Sequence, residues 1–500
     1  MKNKVLIVLL LLASLKLGFY LRSIGYSVIP DPFIILDEHT NVWHGLSIRS
    51  SGVPAAWSIL PFYAREAKSM GTGGNIDGFN LSVDGKKPRL SDYSSFPKPV
   101  VGVSELNYGR GLSHTQFVQP YIDHPPFGAL ILSLFVSKEA KTFKDVSDYD
   151  LRRASLYLGT ITQFLIFVLA TLLTEKWVVG IIASLIYATV PSYVLMSRYA
   201  LLENVMSPLF LLSIILLLLA KGRLKRKDSD RLTFLLILIA GIAGGLVALT
   251  KIAGWFLILA DVILMLVWKF GFRRISVYVV PAFLIGSLYF IWGFYLSPKL
   301  FLDLFLTQAS RDFIGSINFL VTSWKVSIFN FPVDGWWTGG FLSLFMIPRE
   351  KRYLPIFVSV LMVLVSALFL VGSNYPWYFI PLIPFMAISV AIFFYNISLK
   401  PDPLHILFAF FFFVSSSFYW GYGVFQKLQP FLLYRLLFLM FVVLGVFGPF
   451  IYNRSGILRK VWSFGIFFLL LILLILNRRS IFFILEHWGK YPLIYTPGTF

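Results

Sequence analysis

PLFLLSIILLLLAKGRLKRKDSDRLTFLLILIAGIAGGLVAL, residues 208–249, places two apolar runs on either side of a short basic cluster. With its flanks, each run approaches the roughly 20 residues an α-helix needs to cross the hydrocarbon of a bilayer. Lys221, Arg223, Lys225, Arg226, Lys227 and Arg231 between them are the kind of residues that hold a loop on the cytoplasmic side. The same pattern repeats outward along the chain. VLIVLLLLASLKLGFYL, residues 5–21, opens it, and another long apolar run covers 461–477. Of 500 residues, 57% are hydrophobic and 14% charged, where a soluble domain carries about 25% charged residues. A soluble globular domain is excluded, and with no alternating strand pattern a β-barrel is not expected.

The net charge of +20 is spread over several clusters between apolar segments. It reads as cytoplasmic loops, not as a nucleic-acid surface. There is no cysteine, which removes disulfides, thiolate catalysis and cysteine-bound metals. Lys2 and Lys4 resemble the start of a signal peptide. Lys16 interrupts the run, however, and no small-x-small site follows, so the first helix is expected to stay uncleaved.

Apolar segments fall at about 4–22, 126–138, 154–174, 177–195, 201–220, 232–250, 253–268, 277–296, 334–347, 354–371, 376–395, 404–420, 434–451 and 461–477. The N-terminus is cytoplasmic by Lys2 and Lys4. Further inside signals are Lys269, Arg273 and Arg274; Arg349, Lys351 and Arg352; and Arg454, Arg459 and Lys460. They agree with 221–231 only if one segment between 126 and 200 does not cross, which leaves about thirteen crossings and an outside C-terminus. The 126–138 segment is short and opens on Pro125 and Pro126, so it suits a half-helix shielded by protein. A helical hairpin over 154–195 is the alternative.

Two long segments then lie outside. Residues 31–125 contain MGTGGNIDGFNLSVDGKKP, a run of turn formers, and read as turns with short helices. Residues 297–333 have periodic apolar positions that suggest helices lying on the membrane face. The expected fold is an all-α integral membrane protein with surface helices in both outer segments. Residues 1–400 form the main module, 401–477 add C-terminal helices, and 478–500 form an outer tail.

Polar groups far apart in sequence meet this outer face. DPFIILDEHTNVWHG, 31–45, brings Asp37, Glu38 and His39 just after the first helix. QPYIDHPPFGALIL, 119–132, brings Asp123 and His124, held by the proline pair. SRYALLEN, 197–204, brings Arg198 and Glu203, and ALTKIAG, 248–254, brings Lys251. Water beyond the membrane, a capping charge or snorkelling would account for each of these alone. Together they offer carboxylates for base catalysis and cations for an anionic leaving group. Arginine suits phosphate oxygens, so Arg198, with Lys251 and Arg311, is the candidate donor-phosphate set. Asp37, Glu38, Asp123, His124 and Glu203 are the candidate catalytic set. His39 and His124 with Glu38 and Asp123 are also possible ligands for a divalent ion.

In order, these residues resemble the membrane-embedded glycosyltransferases of the GT-C fold: the protein O-mannosyltransferases and the lipid A aminoarabinose transferases. The resemblance rests on Asp37–Glu38, His124–Pro125–Pro126, Arg198 to Glu203, Lys251 and the aromatic–proline segment NYPWYFIPLIPFMAI, 374–388. It departs from the family in His124, in Glu203 and in lacking a sizeable soluble C-terminal domain. The resemblance implies transfer of a sugar from a polyprenyl or dolichyl phosphate, with inversion, at the outer face. The acceptor is a hydroxyl on protein, lipid or glycan, and some relatives use a divalent ion. Asp37 would then be the base, Glu38 would orient the acceptor or the loop, and Arg198 would be a candidate for the phosphate. A multi-spanning transporter or lipid-linked sugar flippase is the competing class, since polar residues near broken helices also suit substrate sites; against it the acids cluster at one surface, with Asp261 the main exception deep in a span.

Overall fold

The computed structural model describes residues 2–30, 36–58, 102–108, 113–140, 146–225, 230–309, 335–370, 376–410, 412–413, 416 and 430–487. It is a bundle of apolar helices with a small polar layer at one end. The first helix, α1 (Lys2–Ser23), leads to α2 (Leu36–Ser51), the strands β1 (Ala56–Ser58), β2 (Gly102–Tyr108) and β3 (Ser113–Gln119), and the short α3 (Pro126–Leu132). The bundle continues with α4 (Asp148–Thr174), α5 (Trp177–Thr189), α6 (Pro191–Met196), α7 (Leu202–Lys225), α8 (Asp230–Ala248), α9 (Gly254–Val267) and α10 (Phe272–Leu296). After α11 (Pro298–Ala309) come α12 (Gly335–Met346), α13 (Leu354–Leu370), α14 (Ile383–Leu399), α15 (Pro430–Arg454) and α16 (Gly456–His487).

Among the described residues nine helices are long and apolar enough to cross a membrane, not thirteen. The difference lies in the short elements. Helices α5 and α9 are apolar but only 13 and 14 residues long, and α12 has 12 residues. The expected 177–195 segment is cut at Pro191, which lacks the N–H to continue α5; Val190 before it is extended. The 126–138 segment holds only the seven residues of α3, too few to cross, which is the half-helix already left out of the thirteen. Part of the expected 404–420 segment lies outside the described residues.

The basic clusters converge on one end. Lys221, Lys269, Arg349 and Lys351 line a common cavity, and Arg274 pairs with Asp230 at 3.0 Å. Helix α7 runs from Glu203 to that end and α9 runs to it from beside Lys251. At 1.5 Å per residue this puts the polar end ~30 Å away. The C-terminal half of α16 returns to the polar end, where Ile481 packs on Leu21 and Val194. Helix continues to His487, through the first part of the tail expected at 478–500.

The outer segment 31–125 is not turns and short helices alone. β3 lies between β1 and β2 in an antiparallel sheet, with Ala56 opposite Val118 and Ser104 opposite Phe117. The membrane-spanning part is all-α as expected, and this segment adds a small sheet to it. Residues 56–58 and 116–118 pair across a long intervening segment, and SHTQFVQ carries little apolar alternation to announce a strand. Helix α2 buries Val42, Trp43 and Leu46 beneath this layer, with Trp43 edge-on to Trp57 at 5.8 Å.

Gly45 is what lets α2 lie on α3. A Cβ there would sit 2.0 Å from the Ala129 carbonyl oxygen, inside any real contact. In a free helix Gly→Ala stabilises by about 1 kcal/mol. Here overpacking opposes it with about 1–3 kcal/mol. Gly45→Ala is expected to lower the thermal midpoint in detergent; a raised midpoint would mean that α2 and α3 are not in this contact.

Candidate active site

Asp37 and Glu38 occupy the first turn of α2, where the positive end of the helix dipole favours carboxylates. Successive helical residues are about 100° apart, so the two diverge. Glu38 is fully buried. Its Oε2 accepts from Arg152 Nε at 2.7 Å and from the Ala200 N–H at 2.8 Å, and its Oε1 pairs with Arg152 Nη2 at 2.5 Å. Arg152 Nη1 donates in turn to the carbonyls of Tyr26 and Pro30. One ion pair thus ties the exit of α1, the start of α2, α4 and the link before α7. Burial pushes the Glu38 carboxyl upward, while Arg152 and the Ala200 N–H pull it down; the net direction is up.

Arg198 is placed differently from its expected role. It has no exposed surface. Its Nη1 and Nη2 donate to the carbonyls of Ile29 at 2.9 Å and Leu21 at 2.7 Å, which caps the C-terminal turn of α1. A guanidinium with no accessible atom does not reach a lipid phosphate, so Arg198 is a strut. Glu38 is equally buried, and its bonds to Arg152 and Ala200 hold the loop that carries α2. Arg311 lies outside the described residues.

Five other expected residues do come together. Asp37 is half-buried and Asp123 buried, and both carboxylates act on Tyr121. Burial raises the Tyr121 phenol, and Asp123 and Asp37 raise it further, which keeps it a proton donor. Ser58 of β1 donates to Asp123 Oδ2 at 2.5 Å, and Gln308 of α11 donates to the Asp123 carbonyl at 3.0 Å. The half-buried His124 ring lies 6.3 Å from that of Tyr121.

Lys251 sits in the turn between α8 and α9. It forms an ion pair with Glu203 of α7, and its Nζ lies 4.0 Å from the centre of the Tyr378 ring. Burial alone lowers the Lys251 ammonium; Glu203, then Tyr378 and Asp37, outweigh it and hold it above the ordinary lysine value. It is therefore charged. Lys251, Glu203, Tyr378 and Pro381 line a cavity of about 20 Å³, enough for a water or a single small group.

Sequence reasoning missed Arg152, Tyr121, Tyr378, Ser58 and Gln308. Arg152 was discoverable: an arginine entering a spanning helix demands a buried acid partner. Tyr378 lies in the aromatic–proline segment, but nothing local ties it to Lys251. His39 and His44 are buried beside the site. His44 packs edge-on to Tyr121 at 4.9 Å, and burial pulls its imidazole down to about 3, so it is neutral. Among the described residues no three histidine or acidic side chains stand together as a metal site.

The family model for dolichyl-phosphate-mannose-protein mannosyltransferases matches residues 112–304. That stretch holds Asp123, His124, Arg152, Glu203 and Lys251 but not Asp37. No curated protein matches the chain. Among solved structures, ArnT from Cupriavidus metallidurans, bound to undecaprenyl phosphate, is similar at 16% identity with a TM-score of 0.46. The similarity covers 72% of this chain and 68% of that one. The archaeal oligosaccharyltransferase AglB from Archaeoglobus fulgidus, in complex with an inhibitory peptide and a dolichol-phosphate, is similar at 13% identity with a TM-score of 0.46. Here 96% of this chain is covered and 56% of that one, so this chain spans little more than half the oligosaccharyltransferase.

Proposed function

We propose that the chain is an inverting glycosyltransferase of the GT-C type. It takes a sugar from a polyprenyl- or dolichyl-phosphate and transfers it to a hydroxyl of a protein, lipid or glycan at the extracytoplasmic face. The observation that carries this reading is Asp37, a half-buried carboxylate near Lys251 and Tyr121, with Glu38 anchored behind it. The mannosyltransferase model over 112–304 supports the same class.

The acceptor hydroxyl attacks the anomeric carbon as its proton passes to an Asp37 oxygen. The bond from that carbon to the phosphate oxygen breaks, and the lipid phosphate leaves with the electron pair. The base and the leaving group lie on opposite faces of the sugar, so the anomeric centre inverts. The phosphate is already a good leaving group and needs charge neutralisation more than a proton. Lys251 supplies it: an ammonium has three N–H donors, and Glu203 occupies one of them. Arg311 is the second cation proposed, on charge alone. Asp123 and His124, braced by Ser58 and Gln308, shape the acceptor side.

The test is label transfer from radiolabelled polyprenyl-phosphate sugars to the host membrane fraction in detergent or liposomes. Substrate flux across sealed liposomes without covalent transfer would replace the enzyme with a transporter. Within that assay Lys251→Met is expected to weaken donor binding about tenfold or more, since a charge-assisted hydrogen bond is worth about 1.5–3 kcal/mol. Unchanged donor affinity in the folded variant would take Lys251 out of the phosphate site.

The orientation proposed puts the basic end in the cytoplasm, with the N-terminus. Cysteines introduced into this cysteine-free chain test it. Ser137→Cys, between α3 and α4, is expected to react with an impermeant maleimide on intact cells. Ser455→Cys, between α15 and α16, is expected to react only after permeabilisation. The reverse pattern would invert the protein.

A further inference from the structure

A second cavity, of about 700 Å³, opens at the basic end of the bundle. It is a helix length from Lys251 and shares no residue with the site described above. Lys221 of α7, Trp268 and Lys269 at the corner after α9, Arg349 and Lys351 before α13, and Phe357 of α13 line it. The lining carries four cations and one carboxylate, Glu350. That carboxylate is already taken by Arg352 at 2.7 Å.

Two details go beyond an ordinary cytoplasmic loop. The Trp268 Nε1 is buried and has no hydrogen-bond acceptor, while the Lys221 ammonium lies 4.3 Å from the centre of its ring. Lys269 has φ +60°. The corner is closed by Trp268 N–H to Leu264, Lys269 N–H to Leu266 and Phe270 N–H to Met265. This is the helix-ending position where glycine is usual. A lysine there is strained by its Cβ, and a glycine would relieve it. What the lysine adds is a charge at the mouth of the cavity. Leu266 and Val267, one turn away, are more than half exposed at the end of an apolar helix, so the cavity opens where headgroups meet hydrocarbon.

We propose that this cavity seats the headgroup of an acidic phospholipid. Its phosphate oxygens accept from the lysines and Arg349 that line the cavity, and its chains lie along Val267 and Phe357. A zwitterionic lipid brings a cation of its own into a ring of four and is disfavoured. The inference stands apart from the transfer reaction.

The test uses the full chain, purified in detergent and titrated with phosphatidylglycerol or phosphatidylcholine. Bound lipid is counted by native mass spectrometry and the thermal midpoint is followed alongside. Phosphatidylglycerol is expected to be retained and to raise the midpoint more than phosphatidylcholine does. Each basic residue near an anionic headgroup contributes about 1 kcal/mol, or roughly fivefold in affinity. Lys269→Gly should therefore bind phosphatidylglycerol roughly fivefold more weakly while being no less stable without lipid, because the strained turn is relieved. Lys351→Gln, at an exposed position, should show the same loss. Arg454→Gln, basic but outside the cavity, should bind as the unmodified chain does. Equal retention of the two lipids, undiminished phosphatidylglycerol binding by Lys269→Gly and Lys351→Gln, or equal stabilisation by inorganic phosphate alone would each overturn the assignment.

Discussion

Asp37→Asn is expected to give a folded protein that binds the lipid-phosphate donor and transfers sugar about 10²-fold more slowly or worse, the usual worth of a general base. The substitution keeps shape and removes basicity. Asp37 is placed for such a change to be clean. It sits in the first turn of α2 and is half-buried, and the buried anchor of that turn is its neighbour Glu38. A partly dehydrated carboxylate is also a stronger base than one in open water. Lys251 and Glu203 are untouched, so donor affinity measured with the unreactive lipid phosphate should hold. Single-turnover transfer, with melting as a control, separates the two. If Asp37→Asn kept near-normal turnover while Asp123→Asn or Glu203→Gln abolished it, the base would move to that residue. If none of the three mattered, the glycosyltransferase reading would fail.

The large features were legible because they follow from bulk physics. Apolar length and basic loops specify a helical bundle with two chemically different ends, and the basic clusters at Lys221, Lys269 and Arg349 do share one end. The break before α6 was written in Pro191, and the start of α3 in Pro125 and Pro126. The site was legible as a list but not as an arrangement. Asp37, Asp123, Glu203 and Lys251 do meet, yet the roles of Glu38 and Arg198 depended on depth, which residue type does not encode. An arginine at the end of a buried turn satisfies carbonyls as readily as it binds phosphate, and only the finding that Leu21 and Ile29 take both of its forks decides which. Sheet pairing of 56–58 with 116–118 was hidden for a related reason. Its register depends on chain closure over a long segment, and local propensity is silent about that.

The second large effect concerns Glu38 and is one of stability. Removing one member of a buried ion pair leaves the other charged and unpaired, at a cost of about 3–5 kcal/mol. Glu38→Ala is expected to lose that much. Glu38→Gln should also be destabilised, although it is nearly isosteric. The carboxylate is met by three donors, Arg152 Nε, Arg152 Nη2 and the Ala200 N–H. An amide turns one of its two ends into a donor, so one N–H must face another wherever it is flipped. Arg152→Met should cost a similar amount, and it also frees the carbonyls of Tyr26 and Pro30. The pair Glu38→Leu with Arg152→Met removes both charges, so it should recover part of the loss and show coupling in a double-mutant cycle. Transfer should fall in these variants because α2 no longer holds Asp37 in place, and should follow the folded fraction as temperature is lowered. A Glu38→Gln protein with an unchanged melting midpoint and abolished transfer would move Glu38 out of the frame and into the chemistry.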